Sequence, residues 1–84
     1  MRLISQDGML DVPYEYGSLS VGVGKVEEIE HTVIKYRNVS SPNGTKLAEY
    51  SSKSKALKVM EMLREKNFWD KDIFKFPADL EVEV

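Results

Sequence analysis

The chain has no cysteine and a single histidine, His31, among 84 residues. Without thiols there is no disulfide framework, no thiolate nucleophile and no cysteine-based zinc site, and the composition suits a reducing compartment. Long apolar runs are also missing. None approaches the roughly 18 residues that a membrane-crossing helix needs. Met1 to Leu10 lack the basic-then-apolar layout of a signal peptide. A cytoplasmic protein away from the membrane is expected, in which the N-x-S/T sequons at Asn38 and Asn43 stay silent. A basic excess is absent too. Lys and Arg number 12 against 14 Asp and Glu, for a formal charge of −2 and a pI near 5.4. That balance weighs against a dedicated nucleic-acid binder, which is usually basic.

What is present is ordinary globular material. Hydrophobic residues make up 42% and charged residues 31%, a mixture that folds rather than one that stays disordered. A chain of 84 residues holds one modest core, so residues 1–84 read as a single small domain. Charge is uneven along it. Residues 1–30 set Arg2 and Lys25 against Asp7, Asp11, Glu15, Glu27, Glu28 and Glu30, a net of −4. Residues 53–66 carry five basic and two acidic groups, a net of +3. Such a dipole suits self-association or helix-on-sheet attraction and does not choose between them.

One helix stands out, over about residues 52–66. Ser51 or Ser52 can cap its free N–H groups. Ala56, Val59, Met60 and Leu63 follow the i, i+3, i+4, i+7 spacing of one face, and Asn67 is a plausible stop. Leu57 and Met62 widen the stripe, so the helix is expected to lie flat on a sheet. Lys53, Lys55 and Lys58 crowd its first half, where the macrodipole disfavours cations. They read either as a solvated face or as a patch that meets an anionic partner.

The remainder reads as short strands. Asp7-Gly8 between Arg2–Ser5 and Met9–Val12 signals a hairpin, and Pro13 places the second run at an edge. Tyr16 to Val23 alternates Leu19, Val21 and Val23 against Ser18, Ser20 and Gly22, the period of a half-buried strand. Gly22 and Gly24 suggest a nearby turn or bulge. Thr32–Arg37 is β-branched and aromatic, and it can extend back to Val26 as one bent strand. Residues 40–44 read as a loop with a type I′ turn at Asn43-Gly44, and Thr45–Tyr50 returns as the partner. Beyond the helix, Asp70-Lys71-Asp72 reads as a polar turn and Ile73–Phe76 as a last strand closed by Pro77. Leu80–Val84 alternates and reads as a frayed or partner-dependent edge.

Catalytic signals are weak. A Ser–His–Asp set is arithmetically possible, but no serine sits at a strand-to-helix elbow. Glu27, Glu28 and Glu30 lie near His31, yet strand alternation lets at most two of these groups converge, so they read as charges on a solvated edge. No metal and no cofactor is expected. Tyr36 with Lys35 and Arg37, and Phe74 and Phe76 around Lys75, resemble local stacking platforms for single-stranded nucleic acid; the competing reading puts the two phenylalanines in the core. Trp69, with Phe68 beside it, is the candidate contact with another chain.

Four blocks suggest a family. They are Ile4-Ser5-Gln6-Asp7-Gly8; Asp11-Val12-Pro13-Tyr14-Glu15; Tyr50-Ser51 leading into Lys55-Ala56 and Met60-Glu61-Met62-Leu63-Arg64-Glu65; and Phe74-Lys75-Phe76-Pro77-Ala78-Asp79 with Glu81-Val82-Glu83-Val84. They resemble a group of small prophage-associated proteins of Gram-positive gut bacteria with no established activity. The blocks bracket the chain, while the middle, from about Ser18 to Leu47, follows no fixed pattern. Members often carry glutamates at the helix start, where this chain has Lys53, Ser54 and Lys55. The resemblance implies a phage-derived cytoplasmic protein and carries over no functional residue.

The expected fold is α+β: a largely antiparallel sheet of five or six strands with one helix packed on it. The expected core is Leu3, Ile4, Leu19, Val21, Val33, Tyr36, Leu47, Ala56, Val59, Met60, Leu63, Ile73 and Phe76. The expected function is a non-enzymatic module that binds a protein or itself through Trp69 and Phe68. The alternative is a small nucleic-acid-binding module using Lys53, Lys55 and Lys58 with Lys35 and Arg37.

Overall fold

A computed structural model describes residues 1–69 and 72–83 and, of Val26, the backbone alone. Its elements run β1 (Arg2–Ile4), β2 (Asp11–Pro13), β3 (Ser18–Val26), β4 (Ile29–Asn38), β5 (Ser41–Tyr50), α1 (Lys53–Trp69) and β6 (Ile73–Lys75), with short 3-10 turns at Tyr14–Tyr16 and Asp79–Glu81. The class is α+β. The strands do not join into one sheet. They form two sheets of three, ordered β2-β1-β6 and β3-β4-β5. Pairing is antiparallel except for β1 with β6.

Gly8, at φ 78°, turns the chain between β1 and β2 as its sequence suggests. Ser5 and Asp7 finish that loop. The buried Ser5 hydroxyl donates to Asp7 Oδ1 at 2.6 Å and accepts the Leu10 N–H at 3.0 Å.

The next two turns fall elsewhere than expected. The chain reverses at Glu27-Glu28, both left-handed at φ 53° and 66°, although neither is a glycine. Gly22 and Gly24 sit instead in a regular ladder opposite Val33 and His31. The second reversal is at residues 39–40. There the Asn38 side-chain oxygen accepts the Ser41 N–H at 2.8 Å. Pro42, Asn43 and Gly44 lie inside β5, where Gly44, at φ 89°, serves an irregular stretch of the strand. Buried side chains set this register. Tyr36 and Ile34 must face α1, and the turns fall where that alignment puts them.

β5 also carries a bulge. Ile34 faces Ala48 and Lys35 faces Lys46, so Leu47 is an extra residue. The bulge sends two successive side chains inward, and Leu47 and Ala48 are each only 2% exposed.

Ser52 caps α1, its hydroxyl accepting the Lys55 N–H at 3.3 Å. The helix continues past residue 66 to Trp69. Ala56, Val59 and Leu63 are fully buried, while Leu57 and Met62 face solvent, so the apolar stripe is narrower than its sequence suggests. Ile34 takes the core place expected of Val33, and Phe74 that of Ile73, each one residue along the strand and so on the opposite face. Ile4, Leu19, Val21 and Met60 are half-buried at the rim. The described part of the last segment, residues 80–83, is not an edge strand. Residues 79–81 make a 3-10 turn and Val82 is buried, while Val84, like Asp70 and Lys71 of the expected polar turn, lies outside the described residues.

Three side chains join the sheets. Tyr36 donates its hydroxyl to the Pro13 carbonyl at 2.7 Å, and Tyr50 donates to that of Pro77 at 2.8 Å. Gln6 does more. Its backbone N–H donates to the Leu47 carbonyl at 2.8 Å. Its side-chain amide accepts the Glu49 N–H and donates to the carbonyls of Glu49 and Pro77, each at 3.1 Å. The amide stands where the peptide of a fourth strand would pair with β5. β1 itself is the central strand of its sheet, with both edges taken by β2 and β6.

Two substitutions test this account. Gln6→Ala removes the side-chain bonds and leaves part-buried peptide groups unpaired, so it is expected to cost about 2 kcal/mol in urea unfolding; an unchanged midpoint would refute the bridging role. Replacing Glu27-Glu28 by Asn-Gly suits the left-handed turn and is expected to stabilise by roughly 1 kcal/mol; a loss of stability would contradict the turn geometry.

Candidate functional site

Exposed sheet edges invite pairing with other chains, and folded proteins usually blunt them. β2 is three residues long and ends in Pro13, and β6 is also three residues long. β5 is bulged, contains Pro42 and is bonded by Gln6 at Leu47 and Glu49. β3 has none of these defences. Its nine residues keep unbroken register with β4 from Ser18 to Val26, without proline or bulge and with Lys25 as the single charge.

The hairpin geometry says which groups that edge presents. A two-residue turn makes its flanking pair, Val26 and Ile29, the hydrogen-bonded kind, and the two kinds of pair then alternate along the ladder. Leu19, Val21, Val23 and Lys25 therefore turn their N–H and C=O groups outward. Among the described residues, nothing bonds to them.

Beside the edge lies the outer face of the sheet. Opposite-residue pairing puts Ser18, Ser20, Gly22 and Gly24 of β3 alongside Arg37, Lys35, Val33 and His31 of β4. The β3 row is nearly flat: a Cβ added at Gly22 or Gly24 would meet nothing within 4 Å. The result is an open groove of about 350 Å³ between that row and Val33, Lys35 and Arg37. Among the described residues, no carboxylate pairs with Lys35 or Arg37. Lys46 lies opposite Lys35, its ammonium 3.8 Å from Glu49, and His31 Nδ1 is 3.5 Å from the same carboxylate. The face is thus basic toward the start of β3. Glu27, Glu28 and Glu30 are at the far end of the hairpin.

Tyr36, Phe74 and Phe76 are buried, so they are not stacking platforms. None of the outward residues of β3 and β4 is a phenylalanine, tyrosine or tryptophan, and the one ring in that row is the His31 imidazole. Phe68 and Trp69 are exposed at the end of α1, their rings edge to face at 4.9 Å. The lysines of the helix start are divided. Lys53 and Lys58 are exposed, whereas the Lys55 ammonium donates to the Asp79 carbonyl at 2.9 Å and to its carboxylate at 3.3 Å. Among the described residues, no cluster of metal-ligating side chains forms.

Asp79 ties the chain's last turn to the helix start. Its Oδ1 accepts the Ser51 N–H at 2.7 Å, and this bond, with help from Lys55, holds its carboxyl below the ordinary value of 3.8. A depressed carboxylate contributes stability above its unfolded pKa and loses it as pH falls through the lower folded value. Unfolding free energy is therefore expected to drop below pH 3.8, and Asp79→Asn to flatten part of that drop in denaturant titrations at successive pH. Identical acid profiles for the two proteins would refute the linkage.

No protein-family model matches the chain, and no curated protein and no solved structure proves similar to it.

Proposed function

We propose that this chain is a non-enzymatic protein-binding module that accepts an extended segment of its partner as a fourth strand on β3. One observation carries the reading: β3 is a long, regular, undefended edge in a fold whose other edges are short, bulged, proline-bearing or capped. Strand addition draws affinity from main-chain hydrogen bonds and specificity from alternate side chains. The resemblance to phage-derived proteins implies a cytoplasmic setting and leaves the mechanism open. Phe68 and Trp69 supply a second apolar contact for the same partner.

The nucleic-acid reading draws on Lys35 and Arg37, which have no acidic partner among the described residues, together with Lys53 and Lys58. It lacks bases' usual stacking surface, since the outward residues of β3 and β4 include no phenylalanine, tyrosine or tryptophan.

Val21→Pro separates the two. The Val21 N–H points away from β4, so proline spares the internal ladder and removes a donor from the open edge. The variant is expected to fold with a stability loss of about 1 kcal/mol. It should also fail to capture the protein bands that the unsubstituted chain pulls from nuclease-treated host lysate. Capture unaffected by Val21→Pro would remove the edge from the mechanism, and capture abolished by nuclease would favour the nucleic-acid reading.

A further inference from the structure

Resting on that strand-addition reading, we infer that the partner segment is acidic, with carboxylates at alternate positions beside the Ser18–Ser20 half of β3. A strand added to β3 lies roughly 5 Å from it, and every second side chain stands on the outer face. Those side chains neighbour Ser18, Ser20, Gly22 and Gly24, none of which rises far above the sheet. A glutamate there can lean across the β3 row into the groove and meet the long side chains of Lys35 and Arg37.

Charge sets the position along the strand. Arg37 stands opposite Ser18 and Lys35 opposite Ser20, with Lys46 next to Lys35 on β5. At the other end, the carboxylates of Glu27 and Glu28 at the hairpin tip repel an acid, and Glu49 already faces His31. A matching segment carries its carboxylates at the Arg37 end and uncharged residues toward the hairpin tip.

The same chemistry argues against a second copy as the occupant. β3 reads Ser-Leu-Ser-Val-Gly-Val-Gly-Lys-Val and holds no carboxylate. Two copies paired edge to edge would bring no carboxylate of β3 itself beside Lys35 and Arg37. A different chain with carboxylates on the added strand completes the face, whereas β3 of a second copy has none to offer.

The test is an NMR titration of the full chain with three probes. They are a ten-residue peptide alternating glutamate with threonine, its glutamine–threonine counterpart and a ten-nucleotide thymidine strand. The glutamate peptide is expected to slow exchange of the Leu19, Val21, Val23 and Lys25 amides and to bind roughly tenfold more tightly than the glutamine peptide at low salt. That advantage should shrink at high salt and vanish in Lys35→Gln/Arg37→Gln, both exposed positions whose replacement leaves the core intact. Equal affinity for the two peptides, with the amides still protected, overturns the acidic preference and leaves strand addition standing. Binding that leaves those amides unprotected and ignores Val21→Pro overturns both. Tighter binding of the thymidine strand assigns the face to nucleic acid, and no binding by any probe also overturns the inference.

Discussion

Gln6 holds this fold together at the point where two small sheets meet. Neither three-stranded sheet can bury a face alone, so each must pack against another element. The chain leaves β1 at Ser5, and Gln6 then supplies peptide-like hydrogen bonds to the edge of β5 and to Pro77. One residue thus connects the first strand, the fifth strand and the last turn. Tyr36 and Tyr50 repeat the device, each placing a ring in the core and a hydroxyl on a prolyl carbonyl of another segment. Prolyl carbonyls suit this use, because the neighbouring missing N–H interrupts a ladder and leaves acceptors to be met by side chains.

The consequence for association is an asymmetry of edges. Bonding by Gln6 takes β5 out of play, and proline and shortness limit β2. β3 alone is long and regular, and its outward groups belong to the residues whose side chains pack inward, Leu19 and Val21. The strand is anchored through one set of contacts and presents the other. An edge of this kind needs no rearrangement to accept a strand, which lowers the ordering cost of binding.

The sequence made some of this legible. Alternation in Leu19, Val21 and Val23 gives β3 its faces, and helical spacing in Ala56, Val59 and Leu63 gives α1 its buried stripe. Asp7-Gly8 marks a real turn. Asn43-Gly44 does not, because burying Tyr36, Leu47 and Ala48 places the reversal two residues beyond Asn38's own position at most and leaves Gly44 to an irregular strand. Glu27-Glu28 gives no turn signal and turns all the same. In both places tertiary packing overrides local preference. Strand order was not legible, since composition does not say which strand lies outermost. Lys35 and Arg37 read in the sequence as flanks of a Tyr36 stacking platform, yet that ring is buried and the cations stand on the other side of the sheet.

That last relation links the core to the surface. Successive residues of a strand face opposite ways, so burying Tyr36 at 2% exposure sends both Lys35 and Arg37 outward. Gly17 tightens the constraint. A Cβ there would lie 2.4 Å from the Tyr36 ring, so the ring fits only because that position has no side chain. A slip of one residue between β3 and β4 would bury the lysine and arginine and expose the tyrosine, losing the hydroxyl bond to Pro13 as well. The basic row beside the free edge is therefore fixed by the same contacts that fix the core, and its alignment with Ser18 and Ser20 cannot drift without unfolding the sheet.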